Sequence, residues 1–406
     1  MHRYPKIWFV NRFFYPDHSA TSQILSDLAF HLAAGGLDVG VITSRGAYDD
    51  PTIELPALEQ IRGVDVHRIA RSRFGRRNLF GRAVDYAGIY AAFAAAAAHL
   101  ARRGDWIVVK TDPPLLSVAL APVAKAKGLR LINWLQDLYP EVALGLGLKF
   151  LAPFAPLLTA ARNASLRAAS RNVAIGEHMR DLLIRSGAQP QRVAVIPNWC
   201  DDSAIRPLSA NDNPLRAAWG LHDKFIVGYS GNLGRAHEFQ TLIGAAEKLR
   251  AQTNIVFLFI GGGALIGALK AEIEKRGLSQ SFRFLPYQDA SLLPQSLALP
   301  DVHWISLRPE MEGLIVPSKF YGIAAAGRAT IVVADPDGEI GTLVARYDCG
   351  ETVAPGDSLR LAEVILSHAN NPQWQSRMGD NARVMLETAF SREFCLKSWE
   401  NLFKFS

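Results

Sequence analysis

"DVHWISLRPEMEGLIVPSKFYGIAAAGRATIVV", residues 301–333, runs from one short apolar segment through a loop and a small-residue segment into a second apolar segment. Short apolar runs bounded by turn residues fit strands buried on both faces, and the Ala-rich stretch between them fits a helix. Strand, loop, helix, strand is the repeating unit of a parallel sheet. Pro317 suits the first helical position and puts Lys319 in the first turn. A lysine there opposes the helix dipole, so the isolated chain gains nothing by it. An anion shared by the helix N–H groups and the ammonium removes the conflict, and the stretch therefore predicts a bound phosphate.

The same rhythm extends in both directions. Upstream, "KIWFVN", "DVGVIT", "VDVHRI", "DWIVVK", "LRLINW", "NVAI" and "RVAVI" read as strands, with helices between them over Thr21–Ala34 and Arg82–Arg103. "PNWCDDSAIRPLSANDNP" breaks the pattern with Pro, Asn and Asp and is read as a linker. Strands resume at "FIVGYSG", "IVFLFIGGG", "FRFLPY", "DVHWISL" and "ATIVVAD". After "CGETVAPGD" come three helical segments, the last an amphipathic "SREFCLKSWENLFKFS" that must bury its apolar face. The fold class is α/β, with domains at 1–203 (joined by 391–406) and 204–390. In open α/β sheets ligands sit beyond the carboxyl ends of the strands, so a ligand between two facing domains is expected.

Bulk properties narrow the function. The 406 residues exceed what one core usually supports, and 49% hydrophobic against 20% charged residues excludes a disordered chain. Net charge is +6, with Arg68, Arg71, Arg73, Arg76, Arg77 and Arg82 close together, which points to an anionic partner or to a solvated loop. Cys200, Cys349 and Cys395 have no metal-site spacing and read as reduced structural thiols. No His pattern of a metal site and no G-x-S-x-G elbow is present. The apolar run from Tyr86 is too short to span a bilayer, and the run from Val142 is broken by Lys149 and two prolines. The N-terminus does not read as an export signal.

Three further turns carry candidate chemistry. "VGYSGNLGRAHEFQTLIGAAEKL" runs a strand into Gly228, Gly231 and Gly234, with a helix opening near His237 and Arg235 placed to neutralise an anion. The spacing is not that of a dinucleotide fingerprint, and the glycines also fit a plain tight turn. "FIGGGALIGALK" repeats the arrangement without a cation and is read as close packing of strand against helix. "LQDLYPE" places Asp137 just past a strand, where a carboxylate can orient sugar hydroxyls, act as a base or cap a turn. Ser19, Thr21 and Ser22 are credible N-caps of the first helix.

Together, "NRFFYPDHSATSQILSDLAFHLAAGGLDVGVIT", "LQDLYPE", "RVAVIPNWCD", "GYSGNLGRAHEFQTLIGAA" and "EGLIVPSKFYGIAAAGRATIVV" resemble a family 4 glycosyltransferase of the GT-B fold, of the colanic acid and O-antigen type. The resemblance implies two Rossmann-like α/β domains facing a central cleft, the C-terminal helix packing back on the first. It implies a retaining transfer from a nucleotide sugar, such as a UDP- or GDP-sugar, to a glycan or polyprenyl-diphosphate-linked acceptor in bacterial surface polysaccharide assembly. No metal and no separate cofactor are expected, because protein cations stabilise the departing diphosphate. Asp137, Arg235 and Lys319 would be catalytic. Ser19, Gly231, Asn232, Arg235, Pro286, Tyr287, Glu312, Gly313, Leu314, Ser318 and Lys319 would surround the donor. His18, Arg71, Arg73, Arg76 and Arg77 would face acceptor and membrane, placing the protein on the cytoplasmic face of an anionic membrane.

The departures are specific. The family's Glu-x7-Glu pair falls on Leu314 and Gly322, and its diphosphate Arg and Lys fall on Asn232 and His237, leaving Arg235 and Lys319 as substitutes. Ser19-Ala20-Thr21 replaces paired glycines. A sugar-nucleotide epimerase or hydrolase and a non-catalytic nucleotide-sugar binder remain as alternatives. Nucleic-acid binding is disfavoured, because the arginines lack interleaved stacking aromatics.

Overall fold

A computed structural model describes residues 5–46, 54–69, 79–210 and 212–404, with side chains outside 79–86. The chain forms two compact units, Met1–Pro197 with Leu396–Ser406, and Asn198–Cys395. In the first, strands β1 (Ile7–Val10), β2 (Val39–Ser44), β3 (Leu58–Ile61), β4 (Val64–Ile69), β5 (Trp106–Lys110), β6 (Arg130–Trp134), β7 (Arg171–Ala174) and β8 (Val193–Val195) form one sheet. Its order is β3-β4-β2-β1-β5-β6-β7-β8, parallel except for the edge pair β3–β4. In the second, β9 (Phe225–Asn232), β10 (Ile255–Gly262), β11 (Phe282–Leu285), β12 (Val302–Ser306), β13 (Ala329–Val333) and β14 (Gly350–Val353) are ordered β11-β10-β9-β12-β13-β14.

Each sheet reverses its direction of growth once. The first is built outward from β1 through β2, then resumes with β5 on the other flank of β1. The second does the same with β12 on the far flank of β9. Between strands that depart in opposite directions the crossover helices part and leave a crevice, the place where open α/β sheets bind ligands. Lys110 ends β5, and Arg12 and Asp112 follow β1 and β5; Gly231 and Asn232 end β9, and Arg308 follows β12. The topology thus selects these two strand-end clusters before any chemistry is considered.

The expected strands are present within one or two residues, and two were missed. β3 reads poorly because it is an antiparallel edge strand with Leu58 and Gln60 exposed and no fully buried residue, and β14 because only four residues separate Cys349 from a turn. The helix expected at Arg82–Arg103 runs over Leu79–Leu100. Helix Lys319–Ala325 has Ser318 as its N-cap, so Pro317 precedes the helix instead of opening it, while Lys319 is in the first turn as expected. The helix expected to open near His237 begins at Gln240.

The last helix, Arg392–Lys404, begins in the second unit, where the Arg392 N–H bonds the Asp202 carboxylate at 3.1 Å, and finishes in the first. There Trp399 is fully buried with its ring 4.5 Å from Trp134, Phe403 meets Trp106 at 5.6 Å, and Glu400 bonds the His31 ring at 2.7 Å. The apolar face that the sequence required to be covered therefore packs on the first sheet. Trp399→Ala should cost about 3–5 kcal/mol through the cavity it leaves, read as a lowered denaturation midpoint of the first unit. An unchanged midpoint would show that the helix is dispensable there.

Candidate functional site

In the second unit the strand-end cluster is built by backbone contact. Gly231 has a φ of 119°, and a Cβ on it would lie 2.8 Å from Cε of Lys319. Gly261, with φ 123°, approaches so closely that a Cβ would lie 2.4 Å from the Gly231 carbonyl oxygen, and one on Gly263 would meet the Leu233 backbone at 2.5 Å. The Leu233 N–H donates to the Gly262 carbonyl at 2.7 Å, locking one turn to the other. The glycines of "FIGGG" thus serve close packing, but of turn against turn and not of strand against helix. Gly228 is needed for a different reason, since its Cβ would collide with the Pro300 ring at 2.1 Å, whereas Gly234 has room and an ordinary φ. Only Gly231 of the three combines a left-handed backbone with a cation at its side.

That cation is Lys319. Its Nζ donates to the Asn232 carbonyl at 3.2 Å and lies 5.3 Å from the Tyr229 ring centre. The same carbonyl accepts the Tyr229 hydroxyl at 2.7 Å. His237 completes the cluster: one ring nitrogen meets the Tyr229 hydroxyl at 3.2 Å and the other the Ser306 carbonyl at 2.7 Å. Burial, with the nearby Lys319 charge, pushes the imidazole down to about 4, so at neutral pH His237 is an uncharged pin between the turn and the end of β12 and contributes no positive charge. Burial likewise lowers Lys319 to about 8, still mostly protonated at pH 7. Arg235 is exposed on the turn.

The other expected donor residues divide. Tyr287 is 63% exposed, yet its ring lies on the glycine shelf, where a Cβ on Gly262 would sit only 3.2 Å from its Cε2. The Pro286 carbonyl accepts the Gln288 amide at 2.8 Å. Glu312 points elsewhere, its carboxylate accepting the Glu339 N–H at 2.8 Å at the start of helix Glu339–Tyr347. That contact satisfies an orphan helix N–H and favours negative charge there. Gly313 is buried with φ 72°, Leu314 is half-buried, and Ser318 caps the Lys319 helix without a side-chain bond.

In the first unit Asp137 stands just past β6, at the wall of a pocket that also includes Lys110, Thr111, Ser117, Asn133 and Arg162. Burial, with the Asp112 charge nearby, raises the Asp137 carboxyl to about 6, against the pull of Lys110. Asp112 is likewise raised to about 6 by burial. Among the described residues no hydrogen bond satisfies the Asp137 carboxyl, so the turn-cap reading does not apply. Leu115, in the same wall, has φ 60°, a left-handed backbone that costs a leucine on the order of 1–3 kcal/mol and is seen chiefly at functional loops. Arg162 is paired with Glu141 at 2.8 Å. Lys110 and Asp112 were not anticipated from sequence; the signal was available in "VVKTDPP", a charged pair ending a wholly apolar strand.

Ser19 occupies the N-cap position of helix Ala20–Ala34, but its buried hydroxyl makes no bond, and its N–H is held by Asp17 at 2.8 Å. The buried Ser22 hydroxyl is also unbonded, so the expected serine caps do not form. His18 is exposed. Arg68 corrects the basic-cluster reading: its side chain is wholly buried, paired with Glu59 and donating to the Tyr15 carbonyl at 2.9 Å. Arg71, Arg73, Arg76 and Arg77 lie outside the described residues. All three cysteines are free thiols, each raised to about 12 by burial. Among the described residues no helix is long and apolar enough to cross a membrane, and no group of three or more His, Cys, Asp or Glu gathers as a metal site.

Two Rossmann-like domains, each with a polar cluster at its switch point, define a GT-B fold. Residues 20–199 match the glycosyl transferase 4-like domain and residues 212–385 the glycosyl transferases group 1. The chain belongs to the family 4 glycosyltransferases of this fold. It is 28% identical over 269 residues to the probable glycosyltransferase WbjE of Pseudomonas aeruginosa, covering 65% of this chain and 66% of that one. To the putative colanic acid biosynthesis glycosyl transferase WcaI of Escherichia coli K12 it is 29% identical over 226 residues, 54% of this chain and 55% of that one. The matched regions thus span just under two-thirds and about half of these relatives. Among solved structures, HepE of Anabaena in complex with UDP and glucose superposes with a TM-score of 0.74 at 18% identity, covering 99% and 100% of the two chains. WaaG, a glycosyltransferase involved in lipopolysaccharide biosynthesis, gives 0.71 at 15% identity, covering 98% and 100%.

The glycine contacts yield a paired test. Gly261→Ala forces a Cβ into the Gly231 carbonyl and a left-handed φ on alanine, and should destabilise the second unit by about 2–4 kcal/mol. Gly267→Ala, in open space on helix Ile266–Lys275, should stabilise by about 0.5–1 kcal/mol. Equal effects in chemical denaturation would mean that turn-to-turn contact does not govern this site.

Proposed function

We propose that the protein is a glycosyltransferase that moves a hexose from a nucleotide sugar, with retention, to a lipid-linked glycan acceptor in bacterial surface polysaccharide synthesis. The observation that carries the reading is the Lys319 ammonium held against the left-handed Gly231–Asn232 turn at the switch point of the second sheet. A half-buried ammonium facing glycine backbone is suited to a diphosphate. Arg235, exposed on the same turn, adds a second cation, so the leaving group is stabilised by the protein without a bound metal. Tyr287 on its glycine shelf offers a face to the base. The transfer is a front-face displacement: the acceptor oxygen bonds the anomeric carbon as the carbon–diphosphate bond breaks, the electron pair leaves with the diphosphate, and the diphosphate takes the hydroxyl proton. Asp137 orients the reacting sugars. Acceptor-dependent release of nucleoside diphosphate separates transfer from epimerase, hydrolase and simple-binder readings, the last favoured only by the commitment of Glu312 to the Glu339 backbone.

Lys319 gives the reading a signed pH dependence. Burial holds it below its ordinary 10.5, so between about 8 and 10.5 the folded chain binds fewer protons than the unfolded one. A bound diphosphate restores the charged form. Binding of UDP or a UDP-sugar, the first nucleotide to try given the HepE complexes, should take up a proton at pH 8–9 and none at pH 6.5, where Lys319 is already charged. Calorimetry in buffers of different ionisation enthalpy reads this directly. Lys319→Met should abolish the uptake, lower affinity about 10- to 100-fold, and erase the thermal shift given by the nucleotide-sugar panel. Uptake that persists in the variant would remove Lys319 from the diphosphate.

The same reading places the protein at an anionic membrane on the cytoplasmic side. Its support is the segment 148–157, where Phe150 and Phe154 are each 59% exposed and Leu157 70%, with Lys149 the one charge among them. Apolar side chains bearing a flanking lysine suit a lipid headgroup boundary. Phe150→Ser with Phe154→Ser should reduce binding to anionic vesicles about tenfold, and substitution of Arg71, Arg73, Arg76 and Arg77 should remove its salt sensitivity. Sedimentation with vesicles that neither set of changes alters would sink the membrane assignment.

A further inference from the structure

Lys110 ends β5 with its residue only 1% exposed. Its Nζ donates to the Thr21 carbonyl at 3.0 Å and sits 3.8 Å from the centre of the Trp134 ring. An ammonium has three protons to donate, and among the described residues one oxygen accepts from this one. A cation so poorly solvated needs negative charge close by, or it sheds its proton. Two carboxyls supply it: Asp112 on the loop that follows β5 and Asp137 past β6, both acting to restore the lysine's charge against burial. Around them stand Arg12 and Asp17, which act on Asp112, and the Arg162–Glu141 pair in the pocket wall. Asn133 faces the same pocket with a buried Oδ1 that makes no hydrogen bond, its amide nitrogen being given to Asn172 at 2.8 Å. The pocket thus presents an unsatisfied carboxyl, an unsatisfied amide oxygen and a lysine with spare protons, a set suited to a hydroxyl-rich ligand.

We propose that Lys110 is a positioning residue for sugar transfer: fixed between the Thr21 carbonyl and the Trp134 ring, it keeps Asp137 ionised to accept a hydrogen bond from a sugar hydroxyl, and Asp112 works against it. The inference rests on the glycosyltransferase reading for the role in transfer, whereas the coupling of the three groups stands apart from it. A protonated Asp137 would offer its own proton and lose the acceptor geometry. Lys110 and Asp112 act on it with opposite sign, since a cation favours the carboxylate and a second carboxylate disfavours it.

The test follows the Asp137 carboxyl by NMR in protein labelled with carboxyl-¹³C aspartate, assigned by loss of its signal in Asp137→Asn, alongside the pH profile of kcat/KM. Lys110→Met should move the Asp137 titration and the acid limb of the profile upward by about one pH unit, a loss of about fivefold at pH 6 that approaches tenfold by pH 5 and fades toward pH 8. Asp112→Asn, nearly the same shape as the native residue, should move both downward, and it keeps the test alive if Lys110→Met fails to fold. Titrations that stay put, or shift in the same direction in both variants, overturn the coupling. A titration that shifts while the acid limb does not overturns the role in transfer alone. The NMR arm needs no substrate, so failure of the glycosyltransferase reading itself appears as absent turnover with the titration shifts intact.

Discussion

The site in the second unit depends on a prohibition: no side chain fits between the ends of β9 and β10. Gly261 must let the Gly231 carbonyl approach, and Gly263 must let the Leu233 backbone do so. With the turns closed on each other, the Asn232 carbonyl is fixed, and Tyr229 and Lys319 both reach it. His237 holds the following loop to the end of β12, with both ring nitrogens engaged. The lysine is therefore positioned by backbone packing and not by a counter-ion, which leaves its charge available.

The first unit reaches a similar end by different means. Among the described residues no glycine shelf stands beside Lys110; an aromatic layer does the placing. Trp134, the last residue of β6, stacks under the ammonium and is itself backed by Trp399 from the C-terminal helix. Ring faces attract cations without neutralising them. The terminal helix thus contributes to stability through a buried tryptophan and also bears on the geometry of the strand-end cluster.

Much of this was legible in the sequence, because parallel strands buried on both faces leave uninterrupted apolar runs. β9, β10, β12 and β13 read directly, whereas β3 and β14 did not, lacking such runs. Lys319 was legible for a physical reason, a cation at a helix N-terminus being a local conflict that asks for an explanation. Lys110 was visible only as a charge closing the apolar run of β5, and its significance appears when β6 and the first helix surround it. The N-cap readings of Ser19 and Ser22 fell short because Asp17 holds the Ser19 N–H and the hydroxyls are turned into protein. Arg68 shows the limit of charge counting: a basic run in sequence includes a side chain spent on Glu59 inside the fold.

Lys110, at the end of β5, and Lys319, at the start of its helix, share a property that an arginine could not supply. Each is desolvated enough to fall well below the ordinary lysine value, to about 7 and about 8, and each retains N–H groups without a protein acceptor among the described residues. Guanidinium stays charged under such burial and fixes its donors in a plane, so it would require a permanent counter-ion to be tolerated there. A lysine can remain partly neutral while empty and become fully charged when an anion or a hydroxyl network arrives. The desolvation cost is then met at the moment of binding by the ligand, which ties affinity to protonation at the turn of β9 and, through Asp137, at the end of β6.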